Sequence, residues 1–134
     1  MNFYNSPITW IKKSLEHYID YNKPNKDKLL RKILLGLPFH GAMMELDDKS
    51  PKISALNGKA FGEILQGDLI NEMTYDKKEK ENLFTFNLEN KNYISTFPSN
   101  MFFKERLNFC LENKLGGVGI WDVAQGFDIF LDEF

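Results

Sequence analysis

The sequence is short of several things, and each shortage closes a class of function. It has one cysteine, Cys110, which rules out an internal disulfide and a cysteine-built metal cage. Cys110 falls on the apolar side of an expected helix, where a buried and inert thiol is the ordinary reading. Acids and bases nearly cancel, at a formal net charge of −2, so there is no basic field for nucleic acid. No apolar run approaches the roughly 20 residues that span a bilayer. The opening MNFYNSPITW has no charged region followed by an apolar one, so it does not read as a signal peptide. No usable Asn-x-Ser/Thr acceptor occurs either. Glycine-rich phosphate loops, nucleophile elbows and His-Glu-x-x-His helices are absent. Asp47-Asp48 and Asp132-Glu133 lie in polar stretches with no strand end beneath them. Paired-carboxylate hydrolysis, which needs two groups held across a bond in a desolvated site, therefore has no candidate pair. No cofactor and no metal is expected.

What remains is the composition of one folded domain with a real core. Of the 134 residues 43% are hydrophobic and 14% aromatic, twelve of them Phe, and two domains are not expected at this length. Two apolar runs lack a helical period, Ile33 to Leu37 and Val118 to Trp121. Each has a helical pattern before it, and the second is bounded by glycines in GGVGIWDVAQG (Gly116 to Gly126). Such runs read as parallel strands buried on both faces. A helical pattern over Val123 to Phe134 follows the second. Helix, buried strand, helix is the unit of an α/β barrel or a doubly wound sheet. Pro38 cannot donate to a ladder and marks the first strand's exit. Phe39, His40 and Gly41 then share a strand end with Trp121, the end where such folds place ligands. Trp121 followed by Asp122 is an apolar plate with a polar neighbour, or simply a large core filler. His40 is a possible ligand-facing group, although a lone histidine makes no catalytic constellation.

The other elements follow from local signals. Ser6-Pro7 reads as an N-cap followed by proline at the first helical position. Ile8, Ile11, Leu15, Tyr18 and Ile19 then form one apolar stripe, with His17 among charges on the solvated side. Asn22 to Lys28 is a polar loop. Glu45 to Phe97 is a long excursion, with a solvated turn at Asp47 to Lys52 and a short helix at Asn57 to Gln66 closed by Gly67. Strands are expected at Glu72 to Asp76, Leu83 to Leu88 and Asn92 to Phe97. The second alternates Phe84, Phe86 and Leu88 with polar residues, as a half-buried antiparallel strand does. KKEKE (Lys77 to Glu81) reads as a solvated turn of mixed sign, and Asn90-Lys91 as a second turn. Pro98-Ser99 caps a helix carrying Phe102, Phe103, Leu107, Cys110 and Leu111, and Gly116 is expected to end it as a left-handed C′ glycine.

LLGLPFHG, an α+β insert, and then a helix with GVGIWDVAQG together resemble the last part of glycoside hydrolase family 18, the chitinases. The order is similar to that in the chitinase-domain-containing, stabilin-interacting chitinase-like branch, where NSPITW also has a counterpart after barrel strand six. The resemblance implies the C-terminal part of a (β/α)₈ barrel. In it Ile33 to Phe39 is strand seven, Val118 to Trp121 strand eight and residues 45–97 an inserted lobe. It implies an oligosaccharide or chitin-like partner, the missing N-terminal barrel half as another, and a secretory, lysosomal or extracellular setting. Trp121 matches the strand-eight tryptophan that floors the family's central sugar subsite. Phe39, His40 and Asp122 fall beside it, His40 where many members have tyrosine and Asp122 where the branch tends to have glutamate. The family's acid motif, Asp-x-x-Asp-x-Asp-x-Glu, has no match, so binding without catalysis is implied for this chain. The alternative is a truncated piece of an active glycosidase. MTYD (Met73 to Asp76) mimics a strand-six motif of the family, but it sits inside the insert, and Tyr75 and Asp76 are assigned no role.

Overall fold

The computed structural model describes residues Phe3 to Phe134. The chain builds two sheets joined by a two-residue link. β1 (Leu34–Pro38) and β7 (Gly117–Trp121) form a two-stranded parallel sheet, in register from Leu34 with Gly117 to Pro38 with Trp121. The apolar runs thus became adjacent parallel strands with Phe39 and Trp121 at one end, as their patterns imply. Helices α1 (Ile8–Tyr18) and α4 (Asn100–Glu112) precede the two strands in the chain, with a short α2 (Lys26–Leu30) between α1 and β1. Ile8, Ile11, Leu15 and Ile19 pack with Leu30 and Phe109 into a cluster that also touches Ile33 and Leu35.

The second sheet is antiparallel and five-stranded, in the order β3-β2-β6-β5-β4. Its strands are β2 (Gly41–Glu45), β3 (Ile53–Leu56), β4 (Ile70–Asp76), β5 (Glu81–Leu88) and β6 (Lys91–Thr96), and α3 (Gly58–Gln66) lies between β3 and β4. The three strands expected in the excursion are present. β2 and β3 are additional, so the sheet begins at Gly41, ahead of Glu45. Gly41 is demanded by packing, since a Cβ there would lie 2.0 Å from the Thr96 carbonyl oxygen. The main core lies where α3, α4 and the sheets meet, and it is rich in rings: Phe39, Phe84, Phe86, Phe97, Phe102, Phe103 and Phe130.

Several local expectations are revised. Ser6 does not cap α1; Pro7 holds the cap position without a side-chain bond, because Ser6 is drawn inward by its backbone to Glu81 and Arg106. Tyr18 is 77% exposed rather than part of the stripe. Glu89 and Asn90, both at positive φ, make the β5–β6 turn one residue earlier than expected, the pattern of a type I′ hairpin. Lys114, not Gly116, takes the left-handed position after α4. Gly116 answers to crowding instead, its Cβ site being 2.3 Å from the Arg31 carbonyl oxygen. Leu111 is exposed, and the buried side of α4 is Phe102, Phe103, Arg106, Phe109 and Cys110. Val123 to Phe134 is two short 3₁₀ segments, not an α-helix. Phe127 and Phe130 turn inward there onto Phe97, and Phe130 also onto Phe39.

KKEKE is a turn but not wholly solvated. Glu79 and Glu81 are buried. The Glu81 carboxylate accepts from the Asn5 and Ser6 backbone N–H groups (3.0 and 2.7 Å), from Thr96 Oγ1 (3.0 Å) and from Arg106 (3.4 Å). Burial pushes the Glu81 carboxyl above the ordinary range, opposed by those donors. Burial also lowers Arg106, to about 10, against the pull of Glu81. Desolvation outweighs mutual attraction on both sides, the usual balance for a buried ion pair.

Candidate functional site

The candidate residues lie at the shared C-terminal end of β1 and β7. In a parallel ladder one strand turns alternate residues' N–H and C=O to the same neighbour. The Phe39 N–H donates to the Trp121 carbonyl at 2.9 Å, and the Gly116 N–H donates to that of Ile33. Side chains also alternate, so the sheet has two unlike faces. Leu35, Leu37, Val118 and Ile120 pack on the phenylalanine core. The other face carries Leu34, Gly36 and Pro38 beside Gly117, Gly119 and Trp121. The expectation of strands buried on both faces therefore holds on one face only; Leu34 is 65% exposed. Gly36 and Gly119 are register partners, and a Cβ on either would meet nothing within 4 Å. Nothing in this chain demands glycine at either position. Together they leave a flat, backbone-lined floor that ends at Trp121.

Trp121 is 71% exposed, so in this chain it is a surface plate and not a core filler. Its peptide bond to Asp122 is cis. Asp122 is half-buried and accepts from Gln125 Nε2 at 2.8 Å, which orients one carboxylate oxygen. His40 is half-buried as well. Its carbonyl accepts from Asn5 Nδ2 at 2.7 Å, and its Nδ1 is buried without a hydrogen-bond partner. Phe39 lies elsewhere than its sequence neighbours suggest. It is fully buried, with ring centroids 5.1 Å from Phe103 and 5.6 Å from Phe130. No face of that ring is free for a ligand, so Phe39 supports the strand end from beneath.

The expected residues divide accordingly. Trp121, His40 and Asp122 come to one strand end, while Phe39 is core. The site is an open shelf. A cavity of about 330 Å³ adjoins the floor rather than the strand end, Leu34 and Gly36 lining it together with Trp10, Leu15 and Tyr18 of α1. Among the described residues no His/Cys/Asp/Glu group is arranged to hold a metal ion. Sequence reasoning missed Asn5, whose contact with His40 spans 35 positions and leaves no local trace. It also missed Arg106, for which there was a signal: it sits four residues from Phe102 and three from Phe109, on the buried stripe of α4. Tyr4 and Asp76 hydrogen-bond nearby. That bond, more than burial, lifts the Tyr4 phenol to about 12, and with the Glu79 N–H it lowers the Asp76 carboxyl.

No protein-family model matches the sequence. The fold, however, is similar to that of solved glycosidase-like proteins. The spore cortex-lytic enzyme SleL of Bacillus megaterium superimposes with a TM-score of 0.77 at 20% identity, over 100% of this chain and 31% of that one. A chitinase from Chromobacterium violaceum gives 0.76 at 13% identity, over 98% of this chain and 39% of that one. Human YKL-39, described as a pseudo-chitinase with retained chitooligosaccharide binding properties, gives 0.53 at 14%, over 72% and 29%. The chain is thus a small mixed α/β unit that resembles the C-terminal part of TIM-barrel glycosidases. It spans about a third of the length of the structures it matches.

Proposed function

We propose that this chain is the C-terminal segment of a chitinase-like (β/α)₈ barrel of glycoside hydrolase family 18, in the chitinase-domain-containing branch, and that it serves to bind a chitin-like oligosaccharide. β1 and β7 are barrel strands seven and eight, and the five-stranded sheet with α3 is the inserted lobe. Trp121 is the sugar plate, His40 and Asp122 are polar neighbours, and Phe39 backs them. The observation that carries this reading is the exposed indole at the C-terminal strand end, over a glycine floor that nothing in this chain fills. Barrel folds place ligands at that end, and an open interior face is what a strand pair taken from a barrel would present. The missing barrel half is the proposed protein partner. Hydrolysis by this chain alone is not expected, because the family's acid motif is absent from it. A second reading, a piece of an active glycosidase, draws on the named enzymes among the similar structures.

A pyranose stacked on one indole face covers about 75 Å², worth roughly 2 kcal/mol. Millimolar affinity needs about 4 kcal/mol, so the isolated chain should bind more weakly than that. Within a complete barrel carrying this segment, Trp121→Ala should weaken chitotetraose binding by about 25-fold, measured calorimetrically. Unchanged affinity would remove Trp121 from the site, and chitotetraose cleavage by the isolated chain would overturn the non-catalytic reading.

A further inference from the structure

The two sheets are joined directly only through Phe39 and His40, between Pro38 of β1 and Gly41 of β2. That link is gripped from both sides. Phe39 N–H bonds the Trp121 carbonyl, and Asn5 Nδ2 bonds the His40 carbonyl at 2.7 Å. Asn5 is itself held. Its backbone N–H and that of Ser6 donate to the two oxygens of Glu81, and the Ser6 carbonyl accepts from Arg106. Arg106 also donates to the carbonyls of Glu79, Lys80 and Phe102 and lies 3.6 Å over the Phe102 ring. Thr9 bonds Glu79 through both its hydroxyl and its N–H. Residues 5–9 are thereby laced to the β4–β5 turn of the lobe and to α4.

We infer that Asn5, held by the buried Glu81–Arg106 pair, is a positioning residue that fixes the lobe against the β1–β7 sheet and so sets His40 and Trp121 relative to each other. Glu81 is 1% and Arg106 0% exposed. A pair taken so far from water gains little net stability over apolar packing of the same volume, whereas its many directional bonds define a single arrangement. Three of these bonds, from the Asn5 and Ser6 N–H groups and to the Ser6 carbonyl, fall on the backbone of the segment that reaches His40. The inference rests on the proposed sugar site only for its functional meaning; the positioning itself can be read without a sugar.

The test is amide hydrogen exchange on the full chain, with the Phe39 N–H as reporter, since it bonds Trp121 directly. Asn5→Ala removes the bond to the His40 carbonyl and leaves the buried pair whole. Exchange at Phe39 should become about 2- to 10-fold faster, as loss of one hydrogen bond allows, and the Trp121 indole N–H resonance should shift. Ile94, inside β6 between β2 and β5, should keep its rate. Glu81→Gln should accelerate Phe39 at least as much and also lower the melting temperature, because it leaves Arg106 without its countercharge. The inference is overturned if Asn5→Ala leaves Phe39 exchange and the Trp121 signal unchanged, or if both variants accelerate Phe39 and Ile94 alike. Failure of the sugar reading would show separately, as a Trp121 signal that ignores chitotetraose in the unmodified chain.

Discussion

Replacing Phe39 and Trp121 by alanine in turn separates the support of the site from its surface. The two residues touch the same strand end yet differ in what the chain loses with each. Phe39 is fully buried among Phe103, Phe130 and Phe134, so truncation removes its transfer free energy and leaves a cavity, together about 3–5 kcal/mol. That is a large fraction of the roughly 5–15 kcal/mol that holds a domain folded. At about 2 kcal/mol per molar of urea, the unfolding midpoint should fall by about 2 M. Trp121 is 71% exposed, so less than a third of its surface, about 70 Å² of a large indole, is covered. At about 25 cal/mol per Å² its truncation costs less than about 2 kcal/mol, and less again because alanine keeps part of that contact. Its midpoint should move by well under 1 M. Urea unfolding followed by far-ultraviolet circular dichroism measures both. Equal losses, or a larger one for Trp121→Ala, would refute the division into core and plate.

Two further outcomes follow from the geometry. Gly119→Val places its Cβ where nothing lies within 4 Å and adds strand propensity, so stability of this chain should hold or rise by up to about 1 kcal/mol. A loss above that in urea would mean that the floor is already occupied. Tyr4→Phe should matter less in alkali: a phenol raised to about 12 from 10.0 stabilises the fold fully below pH 10, and this is lost as pH rises toward 12. The difference in urea midpoint between wild type and Tyr4→Phe should therefore shrink over that window, the Arg106 titration being common to both. A constant difference would exclude the Tyr4–Asp76 bond as its source.

The parts of the fold legible in the sequence are those decided within a few residues. Ser99 accepts from the Phe102 N–H and Asn57 from the Ala60 N–H, and both caps could be read from residue type and spacing. The apolar runs of β1 and β7 and the alternation of β5 were equally plain. β2 and β3 were not, because GAMME does not alternate and ISAL is short; pairing with β6 and with each other makes them strands. Val123 to Phe134 carries helical spacing, but Gly126 lies so close that a Cβ there would fall 2.8 Å from Phe39, and the chain follows that contact. Glu81 looked solvated because its neighbours are charged. Its partners, Ser6 and Arg106, are 75 and 25 positions away. The position of Trp121 and Asp122 was legible, because a strand visibly ends there. Phe39 follows the inward alternation of Leu35 and Leu37, a sign outweighed by its place beside His40 at the strand exit, and Asn5 left no local sign.

The most direct test of the central claim follows both indole N–H resonances of the chain during titration with chitotetraose. The protein has two tryptophans. Trp10, 62% exposed beside the α1–β1 groove, is an internal control for indiscriminate stacking on exposed rings. The expected result is a progressive shift of the Trp121 signal, unsaturated at low millimolar sugar, with Trp10 unmoved. Trp10 moving as much as Trp121, or Trp121 not moving, would contradict a sugar plate at the end of β7.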